Sequence, residues 1–128
     1  MLLPGLVDAH AHAPQYEFVG SGFGMPLLDW LETYTFPTEA NYALRTDTAD
    51  ADDRATSVRR RYERLVSDSL RSGTTTCSYL NSIDTDASLL LADVADDVGQ
   101  RAIVGKVSMD VNSPDYYREA SAVSVRNA

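Results

Sequence analysis

The sequence predicts an α/β fold built on a parallel sheet, and three observations carry that prediction. Segments of strand character alternate with amphipathic segments of helical period, in the order β-α-β-α-β-(α). Each helical segment is long enough to cross between neighbouring parallel strands, and such crossovers are right-handed. The length, 128 residues, is ordinary for one domain and too short for two. Two architectures fit: a small doubly wound sheet, or a piece of a (β/α)8 barrel. Three strands cannot close a barrel, which takes about 250 residues.

Leu3 to His12 reads as the first strand, with a turn-like Pro4-Gly5 near its start. Residues 13–24 read as a loop punctuated by Gly20, Gly22 and Gly24. Pro26 to Tyr34 fits a short helix with Pro26 in its first turn, where a missing N–H is tolerated. The acidic patch Asp47 to Asp53 is the nearest thing to a linker. Asp52 to Ser72 is the clearest helix. Val58, Tyr62, Leu65, Val66 and Leu70 recur at three- and four-residue spacing and make one apolar stripe. Gly73 stands where a left-handed C-terminal cap belongs. Thr74 to Leu80, rich in Thr and Tyr, reads as the second strand. Asp84 or Thr85 then caps a helix whose buried face is Ala87, Leu90, Leu91, Val94, Ala95 and Val98, and which Gly99 ends. Arg101 to Met109 reads as a third strand. Ser113-Pro114 opens a further helix that runs to Ala128.

Eleven basic residues face nineteen acidic ones, for a net charge of −8. A surface this acidic repels phosphate backbones, so no nucleic-acid partner is expected. No apolar run approaches the roughly 20 residues of a membrane span, so no membrane partner is expected either. The apolar start lacks a basic n-region and does not read as a signal peptide. Cys77 is the single cysteine. It excludes an internal disulfide framework and fits a reducing, cytoplasmic setting. Within the second strand it reads as a small buried hydrophobe.

The chain has two histidines, His10 and His12. Spacing of two on a strand puts both side chains on one face, with Cα atoms roughly 6.5 Å apart. Two imidazoles can converge on one metal from there, each through a bond of about 2.0–2.1 Å. Asp8 shares their parity and could orient a ligand from behind. The pair lies at the C-terminal end of the first strand, where barrels and open parallel sheets both place their sites. A bare His-x-His also fits two ordinary histidines bonded to backbone or water.

The flanks of the pair carry more. The run Pro4-Gly5-Leu6-Val7-Asp8-Ala9-His10-Ala11-His12 resembles the first-strand signature of the amidohydrolase superfamily, metal-dependent hydrolases on (β/α)8 barrels. Within it, Ala13-Pro14-Gln15-Tyr16, Pro26 to Leu31, Tyr34-Thr35-Phe36-Pro37 and Gly73-Thr74-Thr75-Thr76 are similar to the guanine deaminase family. So are Ser88 to Asp93, Gly99 to Ala102, Val104 to Val107 and Met109-Asp110. The resemblance implies a partial barrel, about three strands with their helices, with residues 1–128 as its N-terminal portion. It implies Zn2+ as cofactor, with His10 and His12 as two ligands. It implies guanine as substrate, deaminated by zinc-activated water to xanthine and ammonia, and a homodimer for the full-length family member. Gln15 matches the glutamine that holds the purine edge. Leu28 and Trp30 match apolar residues near the guanine pocket, although packing of a short amphipathic helix accounts for them equally well.

The superfamily's further histidines, aspartate and proton-moving glutamate come from later strands, so no catalytic residue is assigned within this chain. Asp84 and Asp86 read as helix-start residues and Asp110 as a strand-to-loop polar residue. The cytidine-deaminase architecture needs Pro-Cys-x-x-Cys, which a single cysteine excludes. Gly20-Ser21-Gly22-Phe23-Gly24 has no following Lys or Arg, so it reads as a loop at the site mouth and not a phosphate cradle. Arg59-Arg60-Arg61 reads as a solvated helix face. Lys106 fits either a barrel interior or solvent. Bare outer strands lead to the expectation that this chain alone is marginally folded and inactive. Two other functions remain open: an amidohydrolase for another purine-like or triazine substrate, and a non-catalytic remnant.

Overall fold

A computed structural model describes residues 2–44 and 48–126. Asp47 of the acidic patch and the last two residues of the final helical segment lie outside the described residues. Three strands, β1 (Leu6–His12), β2 (Thr74–Leu80) and β3 (Arg101–Gly105), form one sheet in the order β1-β2-β3. Both pairings are parallel. Helix α3 (Ala51–Arg71) leads into β2, and α4 (Thr85–Val98) connects β2 to β3. The two helices pack against each other, α3 on β2 and α4 on β3.

The apolar stripes of these helices form the core. Val58, Tyr62 and Val66 of α3 meet Leu91 and Val94 of α4 over Cys77 and Tyr79 of β2, with Ala13 and Tyr42 closing one end. Cys77 is buried, as its sequence context suggests. The buried tyrosine hydroxyls in this layer are paired, as burial demands. Tyr62 Oη donates to Asn81 at 2.9 Å, and Tyr79 Oη to Gln100 at 2.8 Å. Asp84 is the N-cap of α4, accepting from the Ala87 amide at 2.8 Å. Gly73, at φ +94°, ends α3 in the left-handed region that a side chain would strain.

The structure corrects several boundaries. Pro4-Gly5 stays outside β1, which starts at Leu6. Residues 13–18 are not loop but a 3-10 helix (Ala13–Phe18). The short helix expected at 26–34 continues to residue 40: α1 (Leu27–Trp30), a π turn (Leu31–Thr35) and α2 (Phe36–Ala40) follow without a break. Pro37 explains the π turn. It has no N–H, and its ring crowds the carbonyl four residues back, so the turn before it widens. The third strand stops at Gly105, not Met109: the ladder with β2 ends at the Leu80–Gly105 pair, and beyond it Val107 N–H bonds the Ser82 carbonyl at 3.2 Å.

The final helical segment is also interrupted. Pro114 opens one 3-10 turn (Asp115–Tyr117), and Arg118 is extended at φ −144° before α5 (Ser121–Arg126) begins. Tertiary contacts override helical continuity here. The Tyr117 ring is buried, and the Glu119 amide bonds the Met109 carbonyl at 2.8 Å. Lys106 does not face solvent. Its ammonium pairs with Glu119 at 2.5 Å, with both side chains largely buried. Of the basic run, Arg59 pairs with Glu63 and Asp97, and Arg61 with Glu17.

Candidate metal centre

The site is built on the C-terminal end of β1. Between Asp8 and Ala11 this strand carries one more residue than β2 does between Cys77 and Tyr79. The irregularity breaks strict alternation, so parity alone does not relate Asp8 to the histidines. Asp8 is tied to them through the backbone instead, its Oδ1 accepting from the His10 N–H at 3.0 Å. The two imidazoles still converge. His10 Nε2 and His12 Nε2 are 3.2 Å apart, with ring centroids at 5.2 Å and planes tilted by 35°.

That separation tests the fit to a metal. Two nitrogens bound at about 2.0–2.1 Å in a tetrahedral shell are roughly 3.3 Å apart. The pair therefore sits as two ligands of one ion would. His10 is exposed and His12 half-buried. Burial first, and the neighbouring His10 second, hold the His12 imidazole below its ordinary pKa. This favours the neutral form, which is the form that ligates. Among the described residues, no group of three or more His, Cys, Asp or Glu gathers to hold an ion. The two imidazoles are the chain's contribution.

A residue without a sequence signal stands behind His12. Glu39 of α2 is only 2% exposed, and its Oε1 is 4.0 Å from His12 Nδ1. Tyr117 Oη donates to Glu39 Oε2 at 2.5 Å, and the Gln15 amide adds a side-chain hydrogen bond. Burial pushes the Glu39 carboxyl up, against the opposing pull of these two donors. The recognisable motif Tyr34-Thr35-Phe36-Pro37 ends two residues short of Glu39. A lone glutamate in a short helix otherwise reads as solvated.

The residues expected to face a substrate divide between two cavities. Gln15 and Trp30 line one of about 510 Å3, with Phe18 and the loop from Gly20 to Gly24. Trp30 packs edge-on against Phe18, and its Nε1 donates to the Ser21 carbonyl at 3.1 Å. Gly22 is required in this wall. It sits at φ +73°, and a Cβ there would lie 2.7 Å from the Trp30 ring. Leu28, 71% exposed, lines a different cavity of about 850 Å3 with Phe36, Pro114 and Tyr116. The structure thus brings Gln15 and Trp30 together and leaves Leu28 apart.

A three-stranded parallel sheet with convergent imidazoles at a strand's C-terminal end defines the class: the chain belongs to the amidohydrolase family, whose description it matches over residues 1–128. Its relatives are more particular. It is 49% identical over 126 residues to the guanine deaminase of Rattus norvegicus, covering 97% of this chain and 25% of that protein. It is 35% identical to the guanine deaminase of Escherichia coli K12, covering 97% and 26%. Its backbone is similar to the C. acetobutylicum guanine deaminase with bound guanine in the active site: TM-score 0.84, 36% identity, 97% of this chain and 27% of that one. The chain thus spans about a quarter of the length of these relatives, and its sheet is that of a partial (β/α)8 barrel. The doubly wound alternative falls away.

Proposed function

We propose that the protein carrying this chain hydrolyses guanine to xanthine and ammonia, and that residues 1–128 are the N-terminal part of its barrel. One observation carries this reading: the two Nε2 atoms 3.2 Å apart in a chain of the amidohydrolase family. The identity to guanine deaminases along nearly the whole chain supports guanine as the substrate. His10 and His12 hold zinc through Nε2, and further ligands come from outside this chain, whose histidines are both used. When bound, zinc supplies a water acidic enough to be deprotonated near neutral pH.

The chain's own residues bind and orient. The Gln15 amide, at the edge of the 510 Å3 cavity, holds the purine edge by hydrogen bonds that fix its angle of approach. Trp30 walls the same cavity and keeps bulk water from the ring. Leu28 lines the separate 850 Å3 cavity with Phe36 and takes no part in this wall. Asp8 fixes the His10 backbone and so the direction of that imidazole. No helix of the described residues is long and apolar enough to cross a membrane. A cytoplasmic homodimer completes the reading.

The test is zinc content and xanthine formation in the protein as its source cell makes it, with adenosine-type and chlorotriazine substrates assayed alongside. Guanine should be the substrate turned over, and replacing His10 and His12 by Ala should remove both zinc and turnover. A folded double variant that keeps its zinc and still forms xanthine would refute the assignment. Turnover confined to an adenosine-type substrate would move the protein toward its 34%-identical relative, the 5-methylthioadenosine/S-adenosylhomocysteine deaminase of Syntrophobacter fumaroxidans.

A further inference from the structure

We propose that Glu39 is the positioning residue for His12, and that Tyr117 ties this carboxylate to the segment that follows β3. The inference rests on the reading of His12 as a metal ligand. An imidazole that ligates through Nε2 keeps its proton on Nδ1, and that N–H needs an acceptor. His12 Nδ1 is buried and has no hydrogen-bond partner. The Glu39 Oε1 lies 4.0 Å away, about 1 Å beyond an N–H···O bond. A small turn of either side chain closes that gap.

The carboxylate is built to stay there. Tyr117 Oη takes Oε2 at 2.5 Å, and Gln15 adds its amide. The Phe36 and Tyr117 rings pack 5.9 Å apart beside it. Tyr117 lies 78 residues from Glu39 in sequence, and its hydroxyl also accepts from the Ile83 amide at 3.3 Å. One phenol thus joins α2, the β2–α4 loop and the post-β3 segment behind a single imidazole. Gln15 hydrogen-bonds Glu39 while lining the 510 Å3 cavity, so the ligand's support and the cavity wall share a residue. A mere staple between α2 and the later segment would need the Tyr117 contact alone. It would leave the His12 N–H unaccounted for.

The test measures zinc affinity by chelator competition, and the His12 Nδ1–H resonance by nitrogen-15 NMR, in the protein as its source cell makes it. Glu39→Ala should weaken zinc binding about 10- to 100-fold and move the Nδ1–H resonance. Glu39→Gln, which keeps an acceptor oxygen, should recover part of the affinity. Tyr117→Phe should shift both readouts the same way by less. If Glu39→Ala does not fold, the other two variants decide. Unchanged affinity and an unmoved resonance in folded variants, with only a lower melting temperature, would overturn the proposal and leave a staple. His12→Ala separates the two levels. Zinc affinity unchanged in that variant would sink the metal-centre reading and this inference with it. Affinity lost there but intact in the Glu39 variants would sink this inference alone.

Discussion

The two sides of the sheet are built differently. On the helix-covered side, Cys77 and Tyr79 of β2 disappear beneath α3 and α4, and the buried tyrosine hydroxyls among them are paired. On the other, Ile103 of β3 is 69% exposed, and β1 is exposed along most of its length at the strand that carries the histidines. Parallel sheets are ordinarily covered on both faces. The difference teaches that this chain's own helices supply one packed layer, while the face beside the histidines is the one that the rest of the proposed barrel would cover.

The largest effect that would sharpen this contrast comes from the packed side. Leu91 is fully buried between α4 and the sheet. Leu91→Ala should cost about 2–5 kcal/mol, because it loses transfer energy and leaves a cavity. Urea unfolding measures it. By contrast, His10→Ala should leave the unfolding midpoint within experimental spread, since His10 is exposed.

Alkali attacks the same packed side. Burial, the largest cause, pushes the Tyr79 hydroxyl up to about 12, and the buried Tyr42, Tyr62 and Tyr117 are raised too. The neutral phenol is the form the fold prefers. Stability from Tyr79 is therefore full below pH 10, its unfolded value, and is lost as pH rises through about 12. Ultraviolet titration of tyrosinate should show these four ionising late and together with unfolding. Their ionisation at ordinary pH with the fold intact would mean that the layer is wet. A smaller effect comes from the cap of α4. Asp84→Ala removes the acceptor for the Ala87 amide and should cost about 1 kcal/mol.

The packed side was also the more legible in sequence. Helical period marks Val58, Tyr62, Leu65 and Val66 because one face of α3 has one environment throughout. Gly73, Asp84 and Gly99 mark their helix ends because caps are local chemistry. The chemistry-bearing region was read in part. His10 and His12 announce themselves through residue type and spacing. Glu39 does not, because its burial depends on Tyr117, 78 residues away, and no local period encodes that contact. The break at Arg118 was hidden for the same reason. Leu28 and Trp30 look equivalent in sequence, yet the turn of α1 sends them to different cavities.

The smallest expected effect is the one most able to break the comparison. Ile103 and Val104 are adjacent on β3, with opposite faces and nearly the same backbone. Val104 packs against the core, and Ile103 faces away from it. In this chain by itself, Val104→Ala should cost about 1–3 kcal/mol, and Ile103→Ser no more than about 0.5 kcal/mol. Strand propensity and edge pairing are shared by the two sites, so their difference isolates burial. In the whole protein, where the proposed barrel closes over this face, Ile103→Ser should cost as much as Val104→Ala. A cost still within about 0.5 kcal/mol there would mean that the face stays bare and that no barrel closes over the sheet that carries the histidines.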